Sequence, residues 1–492
     1  MINYWLEGLK IAIQPGNLIL MLIGTVGGII VGALPGVTSS MGIILLLPFT
    51  YYLDPKLALL MLAGMYSGSM FGGSISAILL GVPGTPSAAA TLIDGYPLGR
   101  QGKAGKAIFT ALIASVSGGI LSGIILALLA PQLANFALKF SPIDYFALAI
   151  FGLSIIASVS GKNLLKGIIS GLLGLFISTV GIENIRGSTR FIFGIPSLSA
   201  GFELLPVLIG IFAITEIMME LEKEKEEIIP KQKISNIFLS KEEYKSIIIP
   251  ILVGAIIGIA LGIIPGTGGT IATYLAYNQL RSWSRKKEKF GKGAIEGIAV
   301  VECANNSVTG GALVPTLALG VPGDVVTAVM LGAMILIGVR PGPLLFQSTP
   351  DLVYSFFAGW FIIQFLMLIT GFISTLIAPY ILEVPKKILM PIILIFAIIG
   401  SFAIRNSLYD VGVAIAFGLF GYFMRKHAFP STPLILGLIL GPMAEQNLNR
   451  ALILSGNDWT IMFRSPISLL LLVLSVLSIV FAVFPTRKGS KR

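Results

Sequence analysis

Apolar residues run along the chain in stretches of about 15 to 30, separated by short polar or Pro/Gly punctuation, the pattern of a polytopic α-helical membrane protein. Only closed hydrogen-bonding systems cross lipid, and runs of this length mean helices rather than barrel strands. The runs predict helices at about 18–34, 38–53, 57–80, 106–130, 143–158, 164–181 and 199–219 in the first half. The second half predicts 247–264, 268–280, 294–319, 324–339, 351–381, 388–404, 408–424 and 466–484. Several are too short for a hydrocarbon core of about 30 Å, which needs about 20 helical residues.

One long hydrophilic stretch, Glu220 to Lys245 with six lysines and seven glutamates, divides the apolar sequence in two. The expected organisation is a first membrane repeat at 1–219, a charged linker at 220–246 and a second repeat with extra C-terminal helices at 247–492. GALPGVTSS at Gly32 to Ser40 returns as GIIPGTGGT at Gly262 to Thr270, 230 positions later, and GVPG at Gly81 to Gly84 returns at Gly320 to Gly323, 239 positions later. The extra nine residues fit the basic loop Arg281 to Lys292, which replaces the short connection Tyr52 to Lys56.

Charge orients the halves. The chain carries 34 Lys+Arg and 23 Asp+Glu, a net charge of +11, and the excess sits in clusters beside apolar runs: 281–292, Arg100 to Lys106, Arg425-Lys426 and the C-terminal Arg487 to Arg492. Positive clusters of this kind face the cytoplasm and anionic headgroups. With no basic soluble domain to carry phosphate contacts, nucleic-acid binding is not expected. Equivalent loops of the two halves differ in charge, which points to inverted-topology repeats. If the linker, the 281–292 loop and the C-terminus are all cytoplasmic, residues 247–280 enter and leave on one side as a re-entrant hairpin. Its tip is Pro265 to Thr270, and Pro35 to Ser40 is the mirror tip.

At 12% charged and 55% hydrophobic, the composition excludes a soluble globular enzyme, a disordered chain and a disulfide scaffold. The single cysteine, Cys303, cannot form an intramolecular disulfide. The first apolar run follows Glu7 and Lys10 and ends in Pro35-Gly36 rather than at a small-residue cleavage site, so no cleavable signal is expected. One histidine, His427, builds no zinc or haem site, and no Walker loop is present. An aspartyl intramembrane protease would need Asp324 and Asp410 as a pair, and only composition links them; no enzyme and no organic cofactor are expected.

Both tips remove a backbone donor at proline and leave N–H and C=O groups free at membrane depth, where such groups must be buried in protein, hydrated or bound. Hydroxyls follow at once: Thr38, Ser39 and Ser40 after Pro35-Gly36, and Thr267 and Thr270 around Gly268 and Gly269 after Pro265-Gly266. Helix N-termini there can face anionic substrate groups, and freed carbonyls can hold Na⁺, the only metal expected; ordinary packing kinks are the alternative. Gly84 ends the first GVPG and Thr85 and Ser87 follow it, with Thr85 or Ser87 as N-cap. After Pro322 and Gly323, Asp324 reads equally as a helix cap or as a cation or proton ligand. Glu302, Asn305 and Asn306 lie inside an apolar run, where polar groups default to function. Glu302 is a coupling-ion candidate unless it lies near the interface, while the asparagine amides suit both Na⁺ and a carboxylate. Glu183, Arg186 and Arg190 read as a surface loop.

These residues resemble a known family. GALPGVTSSMGIILLLPFTYYLDP, FGGSISAILLGVPGTPSAAATLIDGYPLGRQGKAGKA and FGKGAIEGIAVVECANNSVTGGALVPTLALGVPGD with VRPGPLLF are similar to the large membrane subunit of tripartite tricarboxylate transporters, over about residues 16–480. The resemblance implies a prokaryotic inner-membrane permease for di- or tricarboxylates such as citrate, driven by Na⁺ or H⁺. It implies as partners a small four-helix membrane subunit and a periplasmic solute-binding protein, and two copies could pair as a homodimer. The layout is similar to carboxylate transporters in which a hairpin-bearing domain moves against a scaffold. The family pattern has Asn before the first VPG and an acidic residue after it, where this chain has Gly81 and Thr85, which leaves the particular substrate open. A passive anion channel, or a scaffold that anchors a binding protein, is the alternative function.

Overall fold

The computed structural model describes residues 2–159, 164–183, 185, 187–222, 237–382, 386–403 and 405–483. Arg186, most of the charged linker and the C-terminal basic cluster fall outside them.

The first half runs α1 (Ile2–Ala12), α2 (Pro15–Ala33), α3 (Ser39–Thr50), α4 (Pro55–Leu80), a 3-10 turn (Pro86–Thr91), α5 (Leu92–Leu98), α6 (Ala104–Ala137), α7 (Pro142–Val159), α8 (Leu164–Ser178), α9 (Leu204–Leu208) and α10 (Thr215–Leu221). Then come α11 (Lys241–Ile263), α12 (Gly268–Trp283), α13 (Ile295–Leu319), α14 (Val325–Leu336), α15 (Leu345–Ser348), α16 (Pro350–Ile381), α17 (Lys386–Ala403), α18 (Leu408–Lys426), α19 (Ser431–Leu454), α20 (Ile461–Arg464) and α21 (Pro466–Val483). A two-residue antiparallel ladder pairs Gly181–Ile182 with Thr189–Arg190. The protein is therefore an all-α membrane chain, with seven helices long and apolar enough to cross a bilayer among the described residues.

Two helices of more than ten residues, α1 and α19, lie where the hydropathy pattern predicts none, as do the short α5, α15 and α20. The N-terminal α1 alternates apolar and polar residues in too short a run to stand out, and α19 is interrupted by Pro442 and by Glu445, Asn447 and Arg450. Other helices differ in extent. The expected 199–219 segment is a 3-10 turn, α9, a π-helical stretch (Ile209–Ile214) and α10 in succession.

Contacts divide the chain into two compact units, 1–134 with 216–404 and 135–215 with 405–492. In the first unit, α2 lies along α4 and α11 along α13, and both pairs are built the same way. Gly24, Gly28 and Gly32 of α2 sit on the Met61, Met65 and Ser69 carbonyls, and Gly254, Gly258 and Gly262 of α11 sit on those of Val300, Ala304 and Val308. A Cβ added at Gly28 would lie 2.5 Å from the Met65 oxygen, and one added at Gly262 would lie 2.7 Å from the Val308 oxygen. Membrane helices have no hydrophobic drive to associate with one another, so close backbone approach at small residues supplies the packing. The two sets of contacts recur at the same 230 and 239 offsets as the motifs.

In the second unit, α8 packs on α19 through Gly174 and Gly437, and the Thr215 hydroxyl donates to the Gly418 carbonyl at 3.0 Å. Asp410 accepts both Nε (2.9 Å) and Nη2 (2.5 Å) of Arg405. That bidentate pair occupies both its oxygens. Glu183 is buried rather than a surface group, and Arg190 pairs with Glu445 at 2.5 Å.

Candidate functional site

The candidate residues all belong to the first unit. Proline dictates the two tips. Leu34 and Ile264, each before a proline, are driven to extended backbone (ψ 113° and 114°), and Gly36 and Gly266 then take φ of +92° and +80°. The helices that follow are short: α3 has 12 residues and α12 has 16, roughly 18 and 24 Å at 1.5 Å per residue. Thr38 caps α3, accepting from the Met41 amide at 3.3 Å, with its hydroxyl 2.9 Å from that of Ser40. Thr267 turns back to the Leu261 and Ile264 carbonyls.

The GVPG loops complete the frame. Gly81 and Gly320 close α4 and α13 in the left-handed conformation, φ +74° and +71°, as helix-ending glycines do. Gly84 lies against the Gly32 carbonyl, and Gly323 lies against that of Gly262. The Gly266 amide donates to the Gly323 carbonyl at 2.7 Å, tying the second tip to the second loop.

Residues of the two halves meet here. Gly269, in the first turn of α12, sits against Ser87 of the first loop and Asn305 of α13; a Cβ there would be 2.9 Å from Ser87 Cβ and 3.3 Å from Asn305 Oδ1. The hydroxyls of Thr85 and Ser87 are 3.3 Å apart. Asn305 donates from Nδ2 to the Met70 carbonyl at 3.2 Å, which fixes its amide orientation and leaves Oδ1 as an acceptor with no partner. Asn306 accepts from Ser67 at 3.5 Å while its Nδ2 has no partner, and flipping the amide would only exchange which atom is unpaired. Ser39 Oγ is also buried and unpaired. Among the described residues only seven buried side-chain polar atoms lack a partner, and three of them are these candidates. Such atoms are rare in folded proteins, and strain, a water, an ion or a ligand accounts for them where they occur. Among the described residues, no hydrogen bond joins Pro35 to Ser40 directly to either asparagine.

Asp324 takes the capping geometry. Its Oδ1 accepts the Thr327 amide and hydroxyl, each at 2.8 Å, and Oδ2 accepts the Tyr66 hydroxyl at 2.5 Å. Glu302 is fully buried rather than solvated, and Thr91 and Ser115 donate to its two oxygens.

Several participants carry no sequence signal. Tyr66, Ser67, Thr91, Ser115 and Gln364, whose Oε1 accepts from Ser67 at 3.2 Å, have no motif around them that gives them a role, and their partners lie far away along the chain. Asp94 stood in the quoted motif without a role. Its Oδ1 accepts the amides of Gly291 (2.8 Å), Gly293 (2.9 Å) and Ala294 (2.9 Å), and Oδ2 accepts the Tyr277 hydroxyl (2.9 Å). These bonds gather the amides of the segment that leads into the α13 N-cap, Ala294, so Asp94 pins the α12–α13 connection from another element.

A profile of the Tripartite tricarboxylate transporter TctA family matches residues 18–436. An uncharacterized 52.8 kDa protein in the TAR-I ttuC' 3' region of Agrobacterium vitis is 36% identical over 484 residues, covering 98% of this chain and 96% of the relative. An uncharacterized protein in the TAR-II ttuC' 3' region of Agrobacterium vitis is 37% identical over 234 residues, 48% of this chain and 97% of that relative. No solved structure matches the chain.

Proposed function

The chain belongs to the tripartite tricarboxylate transporter TctA family, and from that premise we propose that it carries small di- or tricarboxylates across a prokaryotic inner membrane, driven by Na⁺ or H⁺. The supporting observation is the set of unpaired buried atoms, Asn305 Oδ1, Asn306 Nδ2 and Ser39 Oγ, among the residues of the broken helices. An amide N–H and a hydroxyl can donate to a carboxylate, and the positive N-terminal ends of α3 and α12 favour the same charge. The Asn305 carbonyl suits a cation. Among the described residues no basic side chain hydrogen-bonds any of these three, so neutral groups and backbone dipoles hold the anion.

Access follows from burial. Asn305 and Asn306 are 0% exposed, Thr85 2% and Ser87 5%, so a ligand reaches them only when packed elements part. Alternating access supplies that motion: the repeats 1–219 and 247–492, inverted relative to one another, expose the tips Pro35 to Ser40 and Pro265 to Thr270 to opposite sides. The recurring glycine contacts of α2 on α4 and α11 on α13 support the repeat. The linker, the 281–292 loop and the C-terminus then face the cytoplasm. A small membrane subunit and a solute-binding protein are the partners that the tripartite family implies.

Thermal unfolding of the intact membrane protein with a panel of carboxylates, with and without Na⁺, tests this reading. A fitting carboxylate at about a hundred times its Kd stabilises by about 2.7 kcal/mol, seen as a higher midpoint. No shift with any di- or tricarboxylate would overturn it.

A further inference from the structure

Glu302 is a buried acid that the proposed substrate site does not use. It lies on α13 one turn before Asn305 and is 0% exposed. Its oxygens meet two hydroxyls from two other elements: Thr91 Oγ1 donates to Oε1, and Ser115 Oγ of α6 donates to Oε2 at 3.2 Å. Thr91 ends the 3-10 turn whose second residue is Ser87. The acid therefore ties together the same two elements, α13 and the Pro86–Thr91 turn, that carry Asn305 and Ser87 against the tip residue Gly269.

The titratable groups on the surrounding elements are engaged elsewhere. Asp94 of α5 takes the 291–294 amides and Tyr277 of α12, Lys106 of α6 pairs with Glu243 of α11 at 2.7 Å, and Tyr66 of α4 donates to Asp324. Cys303, next to Glu302 on α13, donates to the Ile251 carbonyl at 3.0 Å. Glu296 lies in the first turn of α13, nearly two turns before Glu302, and Tyr244, Tyr274 and Arg281 lie on α11 and α12; none of them hydrogen-bonds Glu302. Among the described residues, no Lys, Arg or His forms an ion pair with Glu302. A carboxylate held this deep without a cation pays a desolvation penalty that two hydroxyls and the neighbouring Asn305 amide, all neutral, do not offset, whereas a protonated acid is satisfied by the same two hydroxyls, donating to one and accepting from the other.

We propose that Glu302 carries the coupling proton of this transporter, an inference that rests on the carboxylate-transport reading above. The acid takes its proton from water on one side of the membrane, forming the O–H bond at one carboxyl oxygen as the site closes. It returns the proton to water on the other side once the site opens and hydrates. In the closed site, the neutral acid lets α13 and the 3-10 turn stay packed, so loading of the proton and of substrate favour the same arrangement.

The test uses the intact, purified membrane complex in liposomes with labelled citrate and Na⁺-free buffers. The wild type is expected to accumulate citrate under an inward proton gradient. Glu302→Gln, which is isosteric and permanently neutral, is expected to lose that accumulation while still exchanging internal for external citrate at equal pH. Glu302→Asp, which restores an acid, is expected to regain proton-driven accumulation. Accumulation by Glu302→Gln under the proton gradient, or wild-type accumulation that follows Na⁺ and ignores pH, would overturn the proposal. A second measurement does not depend on transport. Infrared spectra of the wild type at neutral pH should contain a protonated-carboxyl C=O stretch that vanishes in Glu302→Gln, and its absence from the wild type would overturn the assignment. A wild type that exchanges no carboxylate would overturn the transport reading instead.

Discussion

Replacing Asn305 and Asn306 together with alanine is expected to abolish measurable carboxylate binding while leaving the fold intact. Asn306 Nδ2 is the free donor of the pair, and losing a hydrogen bond to a charged ligand costs about 1.5–3 kcal/mol, roughly tenfold to a hundredfold in affinity, while loss of the Asn305 acceptor removes a ligand for the accompanying cation. The effect on the empty protein runs the other way. Asn305 Oδ1 and Asn306 Nδ2 are buried without partners, and removing such atoms relieves a desolvation cost of about 1–3 kcal/mol each. The loss of the Asn305 bond to the Met70 carbonyl offsets part of this gain. The signature is therefore a ligand-free unfolding midpoint that is unchanged or raised, combined with loss of the carboxylate-induced shift. A structural role for the pair would instead lower the ligand-free midpoint and leave the shift intact. Stability given up at a binding site in this way is a common trade-off.

Gly28→Ala is expected to be strongly destabilising, although alanine is the better helix former by about 1 kcal/mol. The added methyl would meet the Met65 carbonyl at 2.5 Å and the Ser69 amide at 2.9 Å, both backbone atoms with no rotamer to yield, so α2 must move off α4. Overpacking typically costs about 1–3 kcal/mol, and a rigid backbone neighbour puts this site at or above the upper end. Gly16→Ala on the same helix is the control. Nothing lies within 4 Å of its added Cβ, and a change within about 0.5 kcal/mol is expected there. Unfolding midpoints in detergent compare the two, and equal midpoints would mean that the α2–α4 contact does not hold the unit together.

Much of the frame was legible because proline and glycine act locally. Leu34-Pro35-Gly36 and Ile264-Pro265-Gly266 set backbone angles from three residues alone, and their recurrence 230 positions apart is visible in the sequence itself. The glycines of α2 and α11 at every fourth position belong to the same pattern. Other features had no local signature. Thr91, Ser115 and Glu302 converge from three elements, and nothing in the residues around Thr91 or Ser115 distinguishes a hydroxyl that holds an acid from one that bonds its own helix. Tyr66 meets Asp324 in the same way, at the oxygen that the Thr327 cap leaves free. Helix α19 was hidden because Pro442 and the polar residues after it break the hydropathy run, while its buried face from Leu434 to Leu440 is satisfied by packing within its own unit. Asp94 was visible but mute, since its partners are backbone amides almost two hundred positions away.

The central claim is that the chain moves a carboxylate through a site that opens to one side at a time, and counterflow tests it most directly. Liposomes containing the intact membrane complex are loaded with unlabelled citrate and diluted into a trace of labelled citrate with no ion gradient. A transient accumulation of label above its external concentration, followed by decay, is the expected result, because outward flux of unlabelled substrate drives the label inward through a shared site. Label that rises only to its external concentration, with no overshoot, would contradict the account and identify a passive anion channel.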